Sequence, residues 1–344
     1  MKFATASSPH TPSTGELNAL MRQVIYALLP AIATAWWFFG WGVLINIAVA
    51  SIFALGAEAA ILLLRNRPLA PALSDCSALL TAILLGLALP ALAPWWLAAV
   101  GALFAIVFAK QLYGGLGFNP FNPAMVGYVV LLISFPLEMT SWPAPQELAT
   151  VSLSLVETLS YSFGGTLPAT LGLDALTTAT PLDAIKTGVG LEQSVAAISQ
   201  SPLFGEFGGK GWEWLAAAYL LGGLWLLYKR IISWHIPAGL LGALALIATL
   251  FWLGDASRYA SPLFHLFSGA AIIGAFFIAT DPISAATTLR GRLLFGIGIG
   301  LITYIIRTWG GYPDGIAFAV LLMNMAAPTL DYYTRPRVFG QGGR

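Results

Sequence analysis

WGVLINIAVASIFALGAEAAILLL, residues 41–64, holds a single ionisable side chain, Glu58, in twenty-four positions. As a helix it is about 36 Å long at 1.5 Å per residue, enough to cross the hydrocarbon core of a bilayer. Only a helix or a closed barrel satisfies its backbone in lipid, so a transmembrane helix is the reading. Outward from it, further apolar runs lie near residues 23–40, 77–92, 94–110, 123–140, 213–228, 235–254, 264–280, 293–307 and 315–328. The composition agrees: 58% hydrophobic, 9% charged and a mean hydropathy of +0.80 describe an all-α, polytopic membrane protein with about ten transmembrane helices. The runs fall into two groups of five. The expected division is an N-terminal segment 1–22, a first half 23–140, a polar insertion 141–212, a second half 213–328 and a C-terminal tail 329–344. Residues 1–20 are polar and lack the apolar core of a cleaved signal, so the first run is expected to be retained.

Charge sets the expected orientation. With the N-terminus cytoplasmic, Lys2, Arg22, Arg65, Arg67, Lys110, Lys229, Arg230, Arg290, Arg292, Arg335, Arg337 and Arg344 lie inside, and Lys186, Lys210, Arg258 and Arg307 outside. Twelve against four satisfies the positive-inside rule, so both termini are expected in the cytoplasm and the insertion in the periplasm of a bacterial inner membrane. A net charge of +1 offers no basic face for nucleic acid. One cysteine and three scattered histidines give no metal-ligand set, so a redox cofactor must be organic or belong to a partner. Tryptophans at 36, 37, 41, 95, 96, 142, 212 and 214 sit at the ends of runs and read as interfacial anchors among lipid headgroups.

The insertion carries Asp174-Ala175-Leu176-Thr177-Thr178-Ala179-Thr180-Pro181-Leu182-Asp183. Locally this is a helix start, with Thr180 as N-cap, Pro181 at the first helical position and Asp183 as the acid of a capping box. The same geometry suits a second chemistry, in which the threonine hydroxyl is esterified to a phosphate held by helix N–H groups and the positive end of the dipole. Short helices are expected near 150–160, 181–188 and 191–199, and the glycine run 205–211 reads as a flexible entry to the sixth span. Glu58 in the second span is either a cation or proton relay or a hydrogen-bonded acid on a small-residue face. Asn46 and Asn324 read as interhelical hydrogen bonds. Asn119 and Asn122, in Asn119-Pro120-Phe121-Asn122-Pro123-Ala124, and Asp281, in Asp281-Pro282-Ile283-Ser284-Ala285-Ala286, mark irregular turns whose free backbone groups and side chains can line a ligand site shared between halves.

The spacing Asp-x-x-Thr-x-Ala-Thr resembles the signature read by flavin transferases. Ala6-Ser7-Ser8-Pro9, the run Gln111 through Asn119-Pro120-Phe121-Asn122-Pro123 to Met125, Gly310-Gly311-Tyr312-Pro313-Asp314-Gly315 and Asp331-Tyr332-Tyr333-Thr334-Arg335-Pro336-Arg337 extend the likeness over nearly the whole chain. Together they resemble the D subunits of Rnf/Rsx ion-translocating electron-transport complexes, a family related to the B subunits of sodium-pumping NADH:quinone reductases. The resemblance implies covalent FMN on Thr180, with Asp174, Thr177 and Ala179 as transferase recognition positions. It also implies a second, non-covalent flavin such as riboflavin, and an inverted repeat of five plus five helices. Implied partners are the A, B, C, E and G subunits, the flavin transferase during maturation, membrane lipid, and Na⁺ or H⁺ as the coupled ion. Such a subunit relays electrons and is not a complete enzyme. The alternatives are a small-solute permease without a redox cofactor, with Thr180 a plain cap, and a redox-silent scaffold.

Overall fold

The structure, a computed structural model, describes residues 14–149, 151–168 and 172–335. Lys2, His10, Arg337, Arg344 and the Ala6-Ser7-Ser8-Pro9 motif lie outside the described residues. Everything described is helix, turn or irregular, apart from two isolated bridges.

The first half comprises α1 (Thr14–Phe39), α2 (Gly42–Leu64), the broken unit α3 (Leu69–Leu73) and α4 (Ser77–Ala88), α5 (Trp95–Leu103) continuing as π-helix through Phe104–Gln111, and α6 (Pro123–Ser134). After α7 (Pro136–Thr140), the insertion holds α8 (Leu155–Gly164), a 3₁₀ turn Leu173–Ala175, α9 (Pro181–Gly190) and α10 (Val195–Ile198). The second half repeats the plan with α11 (Trp212–Tyr228), α12 (His235–Gly254), the broken unit α13 (Pro262–Phe267) and α14 (Ala271–Ile273) continuing as π-helix through Gly274–Ile278, α15 (Leu289–Trp309) and α16 (Ile316–Thr334). Six of these units are long and apolar enough to cross a membrane: α1, α2, Leu69–Ala88, α12, α15 and α16. Of the other expected spans, α11 is one continuous helix of 17 residues, and the rest are built from shorter pieces interrupted by proline, glycine or π-turns.

Contacts give the direction of each unit. The end of α1 meets the insertion, where Gln146 N–H donates to Phe38 O at 2.8 Å. The π-helical end of α5 lies at the opposite end, with Lys110 against Ser77. The end of the corresponding α15 lies at the insertion, where Lys186 of α9 donates to Ile306, Arg307 and Tyr312 carbonyls at 3.2, 3.2 and 2.8 Å. The fourth units of the two halves, α5 and α15, therefore run in opposite senses, as an inverted repeat requires. Two boundaries move: α1 begins at Thr14, and α16 continues through Pro328 to Thr334, where Asp331 and Thr334 hold Thr287 and Thr288 at the start of α15. The polar ends of these helices run beyond the apolar runs that marked them in the sequence.

Two of the charges counted as loop residues are buried. Lys110 is 1% exposed and Arg307 4%, and each makes one of the two ion pairs among the described residues. Without them the count becomes eleven against three, and the bias keeps its sign. The glycine run is also better anchored than expected. Glu213 accepts from the N–H groups of Phe207 and Gly208, and Phe204 bridges Gly209, so the entry to α11 is a tight turn.

Helices pack closely through small residues. A Cβ at Gly296 of α15 would stand 2.5 Å from Ile236 O of α12, while one at Gly242 would meet nothing within 4 Å. Gly296→Leu is expected to lose about 1–3 kcal/mol by forcing α12 from α15, read as a lower unfolding temperature in detergent, and Gly242→Leu to change it little. Lys186 ties α9 to the frayed carbonyls of α15; burial pulls its ammonium below the ordinary lysine range, with Asp183 acting in the opposite sense. Lys186→Met is expected to speed amide exchange over residues 306–316 by roughly threefold to tenfold, about 1 kcal/mol, while Lys186→Arg preserves protection.

Candidate functional site

Thr180 is positioned from both sides. Upstream, residues 176–178 pair with residues 142–144: Ala144 N–H donates to Leu176 O at 3.0 Å and Thr178 N–H to Trp142 O at 2.9 Å. Buried Leu176 pins this segment. Downstream, Pro181 opens α9, and Leu182 packs with Ala260 and Phe264. Between these anchors Thr180 takes an extended conformation and its Oγ1 accepts from Asp183 N–H at 3.3 Å, the expected N-cap. Asp174 on the 3₁₀ turn and Ala179 are exposed, and Thr177 and Thr180 are half-buried.

Thr180 lines a cavity of about 150 Å³ at the insertion end, between the two halves. That volume holds on the order of ten water-sized spheres. Its wall is largely apolar and includes five aromatic side chains, Tyr128 of α6, Trp142, Trp212 and Tyr219 of α11, and Tyr312. Trp142 and Trp212 meet edge to face at 5.0 Å between centroids, and Phe39 stands 4.6 Å from Trp212. These two tryptophans, expected as lipid anchors, also line the cavity. Their position at helix ends marked them as interfacial but not which way they turn.

Two carboxylates, Asp183 and Asp314, sit on the same wall, and Asp314 is part of a fixed network. Its Oδ1 accepts from Arg307 Nε at 3.1 Å and Gly315 N–H at 2.7 Å, and its Oδ2 from Ala270 N–H at 2.7 Å. Arg307 also donates to His265 O and Ser268 O at 2.5 and 3.0 Å, closing the break between α13 and α14. In the sequence Asp314 belongs to a motif but has no role of its own; its only signal is the Gly-Gly-Tyr-Pro-Asp-Gly turn.

The opposite end of the molecule holds a second cavity of about 130 Å³, again between the halves. It gathers the expected turn residues Asn119, Asn122 and Asp281, together with Ser77 and Lys110. Asn122 knits the halves: its Nδ2 donates to Ile278 O at 3.1 Å, and its own N–H donates to Asn324 Oδ1 at 3.1 Å. Asn324 in turn donates to Ser284 O at 3.0 Å, and Ser284 Oγ to Asp281 Oδ2 at 2.7 Å. Asn46 bonds Pro90 O at 2.8 Å, so both asparagines read as interhelical links do link segments.

Glu58 is 1% exposed and paired. Lys110 Nζ lies 2.5 Å from its Oε1, and Gln111 Nε2 donates to the same oxygen at 2.8 Å. Lys110 also donates to Ser77 Oγ at 2.7 Å. Sequence reasoning finds the acid but not its counter-charge, because Lys110 lies fifty-two positions away at what looks like a loop boundary. Among the described residues no group of His, Cys, Asp and Glu has the arrangement of a metal site.

Comparison with known proteins agrees with the resemblance carried by these motifs. Residues 4–340 match the NQR2, RnfD, RnfE family. The chain is 52% identical to the D subunit of the ion-translocating oxidoreductase complex of Erwinia tasmaniensis, with 99% of each chain covered. It is 55% identical to the protein of the same description from Alcanivorax borkumensis, over 99% of this chain and 97% of that one. The chain is therefore a member of the NQR2, RnfD, RnfE family.

Proposed function

We propose that the chain is the membrane subunit of an ion-translocating oxidoreductase complex and that it carries FMN, joined through its phosphate to Thr180 Oγ1. The observation that carries the reading is the position of that residue, at the N-terminus of a ten-residue helix and on the wall of an apolar cavity that includes five aromatic side chains. The residues fit the group. A phosphate at this point meets the positive dipole end of α9 and the N–H groups of Leu182 and Asp183, the latter now turned to Thr180 Oγ1, and a tricyclic ring has an apolar space with aromatic side chains beside it. When bound, the flavin supplies electron-transfer chemistry; the chain's residues orient it, exclude water and set the charge around it. Trp142 and Trp212 would stand beside it, and Asp314 would place a negative charge on the wall.

The positive-inside count supports a periplasmic insertion, with both termini cytoplasmic in a bacterial inner membrane. Exposed Asp174 and Ala179 suit recognition by a flavin transferase. The opposite cavity, with Asn119, Asn122 and Asp281 on its wall, would take a second, non-covalent flavin such as riboflavin. Electrons would pass between the A, B, C, E and G subunits by way of this chain, coupled to movement of Na⁺ or H⁺.

Protein from a host with an active flavin transferase is expected to fluoresce under ultraviolet light after denaturing electrophoresis, since only a covalent flavin survives unfolding. Thr180→Ala is expected to abolish the band and Thr180→Ser to retain it, with the alanine variant losing about 1 kcal/mol of stability. A band that persists in Thr180→Ala assigns the flavin elsewhere. A dark wild-type band favours the permease reading, in which Thr180 is a cap alone.

A further inference from the structure

Lys110 belongs at once to an ion pair and to a cavity wall. Its ammonium has three hydrogens, and among the described residues Nζ has two partners, Glu58 Oε1 and Ser77 Oγ. Ser77 is itself fixed, since its N–H and Oγ both donate to Asp75 Oδ1, at 2.7 and 2.5 Å. Lys110 and Ser77 also line the cavity that holds Asn119, Asn122 and Asp281. On that wall Asn119, 3% exposed, has a carbonyl oxygen without a hydrogen-bond partner. One donor to spare and one bare acceptor at a single cavity suit a ligand edge that offers an acceptor beside an N–H, as the imide of a flat heteroaromatic ring does.

Glu58 is loaded unevenly. Lys110 and Gln111 both donate to Oε1, while Oε2 is buried with no partner. A cation arriving at Oε1 must displace the ammonium, and at Oε2 it meets the ammonium's repulsion at close range in a medium of low dielectric. Beside the Lys110 ammonium Glu58 is thus a poor cation ligand, and it is well placed to hold that ammonium at the cavity wall.

We infer that Lys110 is the charged hydrogen-bond donor that holds the ligand of this cavity, and that Glu58 is its counter-charge, a positioning residue that acts through Lys110. The inference rests on the reading of this cavity as the place of a non-covalent flavin. A fixed cation at the ring edge favours the electron-rich, reduced form, so Lys110 raises the midpoint potential of the bound ligand as well as its affinity.

The test uses the whole complex with riboflavin as the probe. Because a single neutral substitution strands a buried charge, the principal variant is the neutral pair Glu58→Gln with Lys110→Gln, checked for assembly by size exclusion. Its riboflavin dissociation constant is expected to rise at least tenfold and the midpoint potential of the residual bound flavin to fall. Lys110→Arg is expected to recover part of both. Glu58→Gln alone is expected to weaken riboflavin while leaving the ratio of ions moved to electrons passed unchanged. Unchanged affinity and potential in the assembled neutral pair would make the ion pair merely structural and overturn the inference. So would a Glu58→Gln complex with normal riboflavin but a lowered ion-to-electron ratio, which would return Glu58 to the ion path. A wild-type complex that binds no riboflavin overturns the cavity reading itself, and this inference with it.

Discussion

Among the described residues the third unit of each half is broken into two helices, and the backbone groups freed there need partners. The remaining architecture follows from how each break is closed. In the first half, Asp75 captures Ser77 N–H and Oγ, and Lys110 reaches Ser77 from the end of the next unit. In the second half, Arg307 captures His265 O and Ser268 O, and Asp314 captures Ala270 N–H. Each closure comes from the helix or turn that follows the break, so the third and fourth units of each half are locked together. Each also brings a buried cation, and each cation brings a carboxylate: Glu58 for Lys110 and Asp314 for Arg307. A helix that ran unbroken would need none of these groups, and no cavity would open beside it.

The two cavities occupy corresponding places in the repeat, yet their electrostatics differ. At the end away from the insertion the cation lines the cavity and its carboxylate stands behind. At the insertion end the carboxylate lines the cavity and the arginine stands behind. The insertion-end wall carries the carboxylates Asp183 and Asp314, and the opposite wall carries Lys110 together with Asp281, so ligands of the same chemistry would meet different charge arrangements in the two. The wall between them is thin. Ala124 lines one and Met125 the other, and Phe277 lines one and Ile278 the other.

Much of this was legible in the sequence, because membrane spans and special turns leave strong local signals. Apolar length located α2, α12 and α15, and proline after asparagine or aspartate marked the turns at Asn122 and Asp281 that meet at one cavity. The cap at Thr180 followed from four adjacent residues. What stayed hidden was long-range. The pairing of Glu58 with Lys110, the turning of Trp142 and Trp212 toward a cavity, and the placement of Asp314 beside the break at Ser268 depend on helices far apart in the chain. No periodicity encodes them. A buried lysine at a helix end looks identical in sequence to one that anchors a loop.

The helix cap and the proposed modification at Thr180 are one geometry rather than rivals. Oγ1 accepts a single hydrogen bond, from Asp183 N–H at 3.3 Å, near the long end of the useful range. Esterification would leave that oxygen a poorer acceptor, but it would add phosphate oxygens in front of the same N–H groups, where charge-assisted bonds are shorter and stronger. The helix start would then lose little by being modified. Pro181 fixes the first turn in either state and Leu182 keeps α9 seated against Ala260 and Phe264, so the residue would line the same cavity before and after. The fold would thus hold the proposed attachment point without depending on the attachment.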